Sequence, residues 1–153
     1  MSIYIGIDPG FSGAWGIVDH HGAYVSCGDM VHDGHQVYTE KVVHEIRKYI
    51  YGEHPEVVIE AVHAMPGQGV SSSFKFGVAY GAALAIAEKL RGTTHLVSPR
   101  VWKKEMDLTA DKDLSLDLAR ALWPEAPLKL KKHNGRAEAL LMGEWYRRHD
   151  LQV

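Results

Sequence analysis

The chain has 153 residues, of which 46% are hydrophobic and 24% are charged, and its formal net charge is -2 at pH 7. This length and composition predict one globular domain over residues 1–153 and exclude a disordered chain, while the net charge gives no general support for a nucleic-acid partner. A single cysteine, no recognisable secretory signal and an apolar run, 78–87, too short to span a bilayer predict a cytoplasmic protein without a membrane partner.

The first part of the sequence predicts an antiparallel meander followed by a helix. Strands are predicted at residues 3–8, 14–19 and 23–27. A Pro-Gly turn ends the first strand, and a His-His-Gly segment is typical of a tight hairpin between the other two. Apolar residues at helical spacing predict a helix over 39–51, with Thr39 as its cap and Gly52 as its stop.

The rest of the sequence alternates strands with helices. The run 57–59, Val-Val-Ile, predicts a central strand buried on both faces, and a loop rich in Gly, Ser and Pro follows at 65–73. Further elements are predicted as a helix at 74–90, a strand at 94–97, a break at Pro99, a helix at 114–122 and a last helix that begins at Asn134. This order predicts an α/β fold with a mixed sheet, an antiparallel three-strand meander plus parallel strands, flanked by helices.

Three carboxylates stand where a folded core does not require them. Asp8 ends the first strand, although its Asp-Pro-Gly context is also explained by a turn. Glu60 closes an apolar run, and a buried carboxylate must be protonated, bound to a cation, or paired with a Lys or Arg. Glu138 has helical spacing to Leu141 and Met142, which predicts that it lies on the core face of the last helix.

These carboxylates are expected to meet at one edge of the sheet. Strands joined through a helix are usually parallel, and ligands gather at the carboxyl ends of such strands. Asp8 and Glu60 should therefore lie side by side, with Glu138 above them. Converging like charges repel and raise each other's pKa unless a cation offsets them, and oxygen ligands select hard ions such as Mg²⁺ or Mn²⁺. The pattern predicts a two-metal site of the kind that hydrolyses phosphodiesters.

Three segments that follow one another along the chain are IGIDPGFSGAWGIV, VVIEAVHAMPGQGVSSSFKFGVAYG and KKHNGRAEALL. Together they resemble RuvC-type Holliday junction resolvases, in particular the versions carried by bacteriophages. The resemblance implies an RNase H-like fold, a homodimer in the cytoplasm of a host cell, and no nucleotide cofactor. It also implies nicking of four-way DNA junctions at paired positions with Mg²⁺ or Mn²⁺, and it makes Asp8, Glu60 and Glu138 the catalytic metal ligands.

The fourth metal ligand departs from the family pattern. Relatives carry an acidic residue three positions before the last ligand, and this sequence has Gly135 there. His133 and Asn134 are the available substitutes. We predict that His133 is the fourth catalytic residue, as a metal ligand or as a base that orients water.

The resemblance further implies a surface that contacts DNA, although a solvated surface role is the alternative for each basic residue in it. The segment from Gln68 to Lys75 matches the part of relatives that faces the junction centre. His63 stands where relatives insert an aromatic side chain, and Phe74 is a second candidate for stacking or a core residue. Phosphate contacts are predicted for basic side chains near the ligands, namely Lys103, Lys112, Lys131, Lys132 and Arg136.

Other interpretations stay open from the sequence. A broader debranching nuclease that acts on flaps and forks, or a junction-binding protein without catalysis, fits the same residues. An actin-like phosphotransferase would explain the turn at Asp8 but requires a second domain and a second glycine-rich loop. A zinc site at His32 and His35 has no further Cys or His pattern around it. Packing roles are predicted for Cys27, Trp102, Trp123 and Trp145.

Overall fold

A computed structural model describes residues 1–152 of the chain, and within them five strands form one mixed sheet. The strands are β1 (Ile3–Asp8), β2 (Ala14–Asp19), β3 (Tyr24–Asp29), β4 (Glu56–Glu60) and β5 (Thr93–Val97). Their order across the sheet is β3-β2-β1-β4-β5, in which β1–β2 and β2–β3 are antiparallel and β1–β4 and β4–β5 are parallel. The predicted α/β fold with a mixed sheet is confirmed.

Helices cover both faces of this sheet. Those of the described residues are α1 (Thr39–Ile50), α2 (Val70–Lys89), α3 (Pro99–Glu105), α4 (Lys112–Leu122) and α5 (Asn134–Asp150), with one 3-10 turn at Lys131–His133. One core lies between the sheet and helices α1 and α2, and it includes Ile5 and Ile86. The other core lies between the sheet and helices α3 to α5, and it includes Trp102 and Leu141.

Strand β4 is an interior strand between β1 and β5, and its middle residues, 57–59, are apolar, β-branched and fully buried. In the parallel pairing with β1, Ile59 lies opposite Ile7. The next residue of each strand is a carboxylate. Asp8 and Glu60 therefore end neighbouring strands at the same edge of the sheet, as the sequence predicted.

Helix α5 lies very close to β1 because β1 contains Gly6. A Cβ atom at position 6 would lie only 1.8 Å from the carbonyl oxygen of Ala139, so no larger residue fits there. Glu138 precedes Ala139 and is only 5% exposed. The close contact thus holds Glu138 against the sheet, and its predicted position on the core face of the helix is confirmed.

Three local predictions were wrong. Pro99 does not break the structure but occupies the first turn of α3, where its missing N–H costs no helical hydrogen bond and the Ser98 side chain accepts from the Val101 N–H. Helix α2 begins at Val70 instead of residue 74, so the end of the predicted loop is helical. The residues predicted to cap α1 and α5 are instead their first helical residues.

Helix α2 is apolar and yet largely exposed. Val70 and Phe74 are 89% and 75% exposed, and no charged residue occurs between Lys75 and Glu88. Among residues 1–152, α2 is the one helix that is long and apolar enough to cross a membrane by length and composition alone. The apolar run 78–87 lies within this helix, which extends beyond it at both ends.

Candidate active site

A cleft of about 680 Å³ opens where strands β1 and β4 end. Asp8 and Glu60 line it from the two strands, and Glu138 lines it from the beginning of α5. Its lining also includes four lysines, which are Lys75, Lys103, Lys112 and Lys132. Three carboxylates from separate parts of the sequence therefore share one cleft with a set of basic side chains.

Asp8 lies in the least favourable environment for a negative charge. Burial is the largest cause that raises the pKa of Asp8 to about 8, and the charges of Glu60 and Glu138 add to it. Lys112 and Lys103 lower this pKa only in part. A cation bound beside Asp8 would stabilise its charged form, because opposite charges favour ionisation.

Glu60 is held by the indole of Trp102. The Nε1–H group of Trp102 donates a hydrogen bond to Glu60 Oε2 at 2.9 Å, and Trp102 itself is fully buried in α3. Burial raises the pKa of Glu60, while the Trp102 hydrogen bond acts in the opposite direction. Trp102 packs in the core, as predicted, and its polar atom also contacts a predicted metal ligand.

Glu138 is held by two side chains that approach from α3 and α4. The Nζ atom of Lys103 lies 3.0 Å from Glu138 Oε1, and the Ser115 hydroxyl donates to the same oxygen at 3.3 Å. Ser115 is fully buried, and the Lys103 side chain is only 14% exposed. The negative charge of this buried carboxylate is thus compensated by the ammonium group of Lys103 and the hydroxyl group of Ser115.

The donor set of the cleft fits a hard divalent cation. Asp8, Glu60 and Glu138 offer only oxygen atoms, the ligands preferred by Mg²⁺ and Mn²⁺, and burial with the charges of Glu60 and Glu138 disfavours the ionised form of Asp8 unless a cation is bound. Within residues 1–152, however, no three His, Cys, Asp or Glu side chains already stand at metal-ligand spacing. In this arrangement Glu60 accepts a hydrogen bond from Trp102, and Glu138 pairs with Lys103.

Position 135 faces Asp8. A Cβ atom added to Gly135 would lie 3.4 Å from Asp8 Oδ2, which is ordinary van der Waals contact. Asn134 lines the cleft, whereas His133 is not among its lining residues. The His133 Nδ1 atom accepts a hydrogen bond from the Leu130 N–H at 3.1 Å. The role of His133 as fourth ligand stays a prediction, and Asn134 is the nearer of the two substitutes.

The basic residues predicted to contact DNA fall into two groups. Lys75, Lys103, Lys112 and Lys132 line the cleft. Lys131 lies 3.7 Å from Asp113 and is exposed, so it remains accessible. Arg136 forms two hydrogen bonds of 2.8 Å to Asp29 and a third to the Pro127 carbonyl, which engages its guanidinium within the protein.

The loop and helix start between β4 and α2 are open to solvent. His63 is exposed, and the Gln68 side chain donates to the Ser72 hydroxyl at 3.2 Å. Phe74 is 75% exposed, so its alternative role as a core residue does not apply. Of these predicted DNA contacts only Lys75, whose Nζ lies 5.5 Å from the centre of the Phe11 ring, reaches the cleft.

Sequence reasoning missed the residues that orient the carboxylates. Trp102 was predicted to pack only, and Ser115 was not singled out at all. The signal for Ser115 was available, since a serine within the apolar face of the predicted helix 114–122 requires a buried hydrogen-bond partner. The identity of that partner, Glu138, depends on how α4 packs against α5, so the local sequence does not predict it.

No family model matches the chain. Over 91 residues, or 57% of its length, the chain is 34% identical to "Holliday junction resolvase MOC1, chloroplastic" of Chlamydomonas reinhardtii. The matched region spans about 10% of the length of that relative.

Two solved structures are similar over almost the whole chain. The RuvC protein of Thermus thermophilus in complex with a Holliday junction substrate superimposes with a TM-score of 0.66 and 18% sequence identity, covering 97% of this chain and 96% of RuvC. A second Thermus thermophilus RuvC structure gives a TM-score of 0.65 and 19% identity with the same coverage. The chain therefore has the RNase H-like fold of RuvC, and its three carboxylates, Asp8, Glu60 and Glu138, lie together at one edge of the sheet.

Proposed function

We propose that this protein is a divalent-metal-dependent endonuclease that resolves four-way DNA junctions by paired nicks. The observation that carries the proposal is the meeting of Asp8, Glu60 and Glu138 in one cleft on a RuvC fold. The sequence similarity to a Holliday junction resolvase over 57% of the chain supports the same substrate. The fold alone would not specify a substrate, because one fold hosts many activities.

The side chains of the cleft divide the work of binding and charge compensation. Asp8, Glu60 and Glu138 would hold the cations, which when bound activate water and stabilise the leaving oxygen of a phosphodiester. Lys103, buried beside Glu138, would supply a positive charge that stabilises the transition state at the scissile phosphate. Lys75, Lys112 and Lys132 line the same cleft and attract the backbone of the DNA.

We further propose that the protein acts as a homodimer through the exposed face of α2, since two coordinated nicks require two active sites. This face carries Val70, Phe74 and Leu84, which are 89%, 75% and 38% exposed. Between them a Cβ atom at Gly77 or Gly81 would meet no atom within 4 Å. A surface with small residues in its middle and large apolar residues at its ends allows two copies of the helix to cross closely.

Cleavage of a labelled synthetic four-way junction in Mg²⁺ or Mn²⁺ tests the proposed activity directly. We expect symmetric nicks in opposing strands, and no cleavage at any pH with either ion would overturn the proposal. Parallel reactions on flaps and forks separate a resolvase from a broader debranching nuclease. Tight junction binding without cleavage would instead identify a non-catalytic binding protein, an alternative that Gly135 at a ligand position favours.

A matched pair of variants separates loss of the site from loss of the fold. Glu60→Gln removes a metal ligand and should abolish cleavage while junction binding persists. Glu56→Gln changes the same residue type at the other end of β4, where Glu56 lies 2.6 Å from the His95 ring, and should leave cleavage intact.

The dimer has its own test. Gly81→Glu adds a charge where a side chain has open space in the monomer, so folding should be unaffected while self-association is lost. Sedimentation velocity measures the change. A monomeric unsubstituted protein that still nicks both strands would contradict the dimer, and binding of α2 to lipid vesicles would identify a different occupant of this face.

A further inference from the structure

Trp102 contacts the site in an unusual way for a buried tryptophan. Its ring is fully buried in the core beneath α3 to α5, and its single polar hydrogen is donated to Glu60 Oε2 across 42 residues of sequence. Trp123 belongs to the same core and is also buried, at 3% exposure. Its indole N–H group, however, donates to the backbone carbonyl of Gly22 at 2.9 Å. Trp123 thus stabilises the β2–β3 hairpin, whereas Trp102 holds a carboxylate of the cleft.

The consequence for Glu60 is a loss of rotational freedom. A glutamate side chain has three rotatable bonds, and an exposed carboxylate samples many orientations. The hydrogen bond holds Oε2 against a rigid ring that packing has already immobilised. The hydrogen bond thereby restricts the orientations of the Glu60 carboxylate, which lines the cleft.

Helix α3 presents two consecutive residues to two different carboxylates. Trp102 contacts Glu60 at 2.9 Å, and Lys103 lies 3.0 Å from Glu138. The Lys103 Nζ atom also lies 5.5 Å from the centre of the Trp102 ring. The orientation of both carboxylates is therefore tied to the position of one short helix.

We propose that Trp102 is a positioning residue that holds the Glu60 carboxylate in the orientation required for divalent-cation binding. This inference rests on the proposed function, since it concerns the same cleft. Hydrogen-bond partners behind a metal ligand fix its orientation, and their removal typically weakens metal binding by about 10- to 100-fold.

The test compares Trp102→Phe with Trp123→Phe. Both variants remove one indole hydrogen bond and a similar volume from the same core, so a purely structural role predicts similar changes in both. Calorimetric titration with Mn²⁺ in the absence of DNA measures cation affinity, thermal unfolding measures stability, and junction binding without metal measures DNA affinity. Cleavage rates over a range of Mn²⁺ concentrations complete the set.

We expect Trp102→Phe to raise the Kd for Mn²⁺ about 10-fold or more, with unchanged junction binding and a cleavage rate that recovers at high Mn²⁺. Trp123→Phe should leave the Kd for Mn²⁺ unchanged even where its Tm falls. Equal Mn²⁺ affinity in the unsubstituted protein and Trp102→Phe would overturn the proposal, as would an equal weakening in both variants.

A second replacement guards against misfolding of Trp102→Phe. Benzothienylalanine at position 102 keeps the size of the fused ring and lacks the N–H, so it should reproduce the weaker Mn²⁺ binding with little change in Tm. Unchanged affinity in that protein would equally contradict the positioning role. Failure of the proposed function gives a different result, in which the unsubstituted protein binds Mn²⁺ and the junction but does not cleave.

Discussion

Two buried glutamates on helix α5 have opposite environments. Glu138 is 5% exposed and Glu144 is 4% exposed. Glu144 accepts hydrogen bonds from two arginines, Arg147 at 2.7 Å and 2.9 Å and Arg148 at 2.8 Å. Glu138 has one lysine and one serine, and it faces two further carboxylates. Burial of a carboxylate therefore does not by itself indicate a functional site.

The difference lies in what surrounds each charge. Around Glu144 positive groups outnumber negative ones, and Arg147 also donates to the His20 carbonyl, so the cluster ties α5 to the β2–β3 hairpin. Around Glu138 three carboxylates converge, and burial together with the charges of Glu60 and Glu138 raises the pKa of Asp8, although lysines line the same cleft. Converging, partly buried carboxylates are suited to bind a cation, whereas a carboxylate neutralised by its own arginines serves the fold.

The largest expected difference between the two positions is in cleavage. Glu138→Gln removes a ligand and should reduce the junction cleavage rate about a thousandfold or more, which corresponds to several kcal/mol of transition-state stabilisation. Glu144→Gln should retain the cleavage rate per folded molecule. Cleavage rates, corrected for the folded fraction determined by circular dichroism, provide the comparison. Similar losses of cleavage in both variants would show that the two glutamates do not differ in function.

Stability should respond in the reverse order. Glu144→Gln leaves two arginines without their anionic partner, one of them half exposed, and should cost about 2–3 kcal/mol, less than for a fully buried pair. Glu138→Gln loses the Lys103 pair but relieves repulsion with Asp8, so the metal-free protein should change by less than about 1 kcal/mol. Urea denaturation in the presence of a chelator measures both values.

Addition of a carboxylate at position 135 should strengthen cation binding. Gly135→Asp places its Cβ in van der Waals contact with Asp8 and adds an oxygen ligand, so Mn²⁺ should bind about tenfold more tightly. The metal-free protein should lose stability because a further negative charge enters the cleft. His133→Ala weakens Mn²⁺ binding only if His133 is the fourth ligand, and unchanged affinity would refute that prediction.

The raised pKa of Asp8 gives the smallest and most specific prediction. Since the folded pKa of about 8 exceeds the ordinary value of 3.8, the folded state binds the extra proton. Its contribution to stability is therefore present below about pH 4 and is lost as the pH rises to about 8.

In a chelator, the unsubstituted protein should lose at least about 1 kcal/mol more than Asp8→Asn across this range, or about 3 °C in Tm. Thermal unfolding at several pH values measures the difference. Glu144→Gln is the control, and it should show the same pH-dependent loss of stability as the unsubstituted protein. Addition of Mn²⁺ at pH 8 should restore the stability of the unsubstituted protein but not that of Asp8→Asn.

The features that sequence predicted follow from rules of short range or of topology. The β-branched run 57–59 fixed a central strand, and the parallel pairing of β1 with β4 then required Asp8 and Glu60 to be neighbours. Helical spacing was sufficient to put Glu138 in the core.

Predictions failed for two different reasons. The start of α3 has a local signal, a Ser98 cap followed by Pro99 in the first turn, which a break at Pro99 does not anticipate. The contact between Trp102 and Glu60 depends instead on partners that are distant in sequence. The environment of Glu144 also depends on partners that are distant in sequence. Arginines three and four residues after a glutamate are common on solvated helix faces, and only the packing of the hairpin against α5 makes this cluster buried.

The glycine at position 6 has a consequence for when the site comes into existence. The residues of the cleft extend from Asp8 to Glu138, so almost the whole length of the chain must be folded before they meet. Pairing of β1 with β4 brings only two carboxylates together, and Glu138 arrives when α5 seats against Gly6. Docking of the final helix is therefore the step that completes the cleft. If the proposed function is correct, a partly folded chain that meets DNA lacks the complete site with which to cut it.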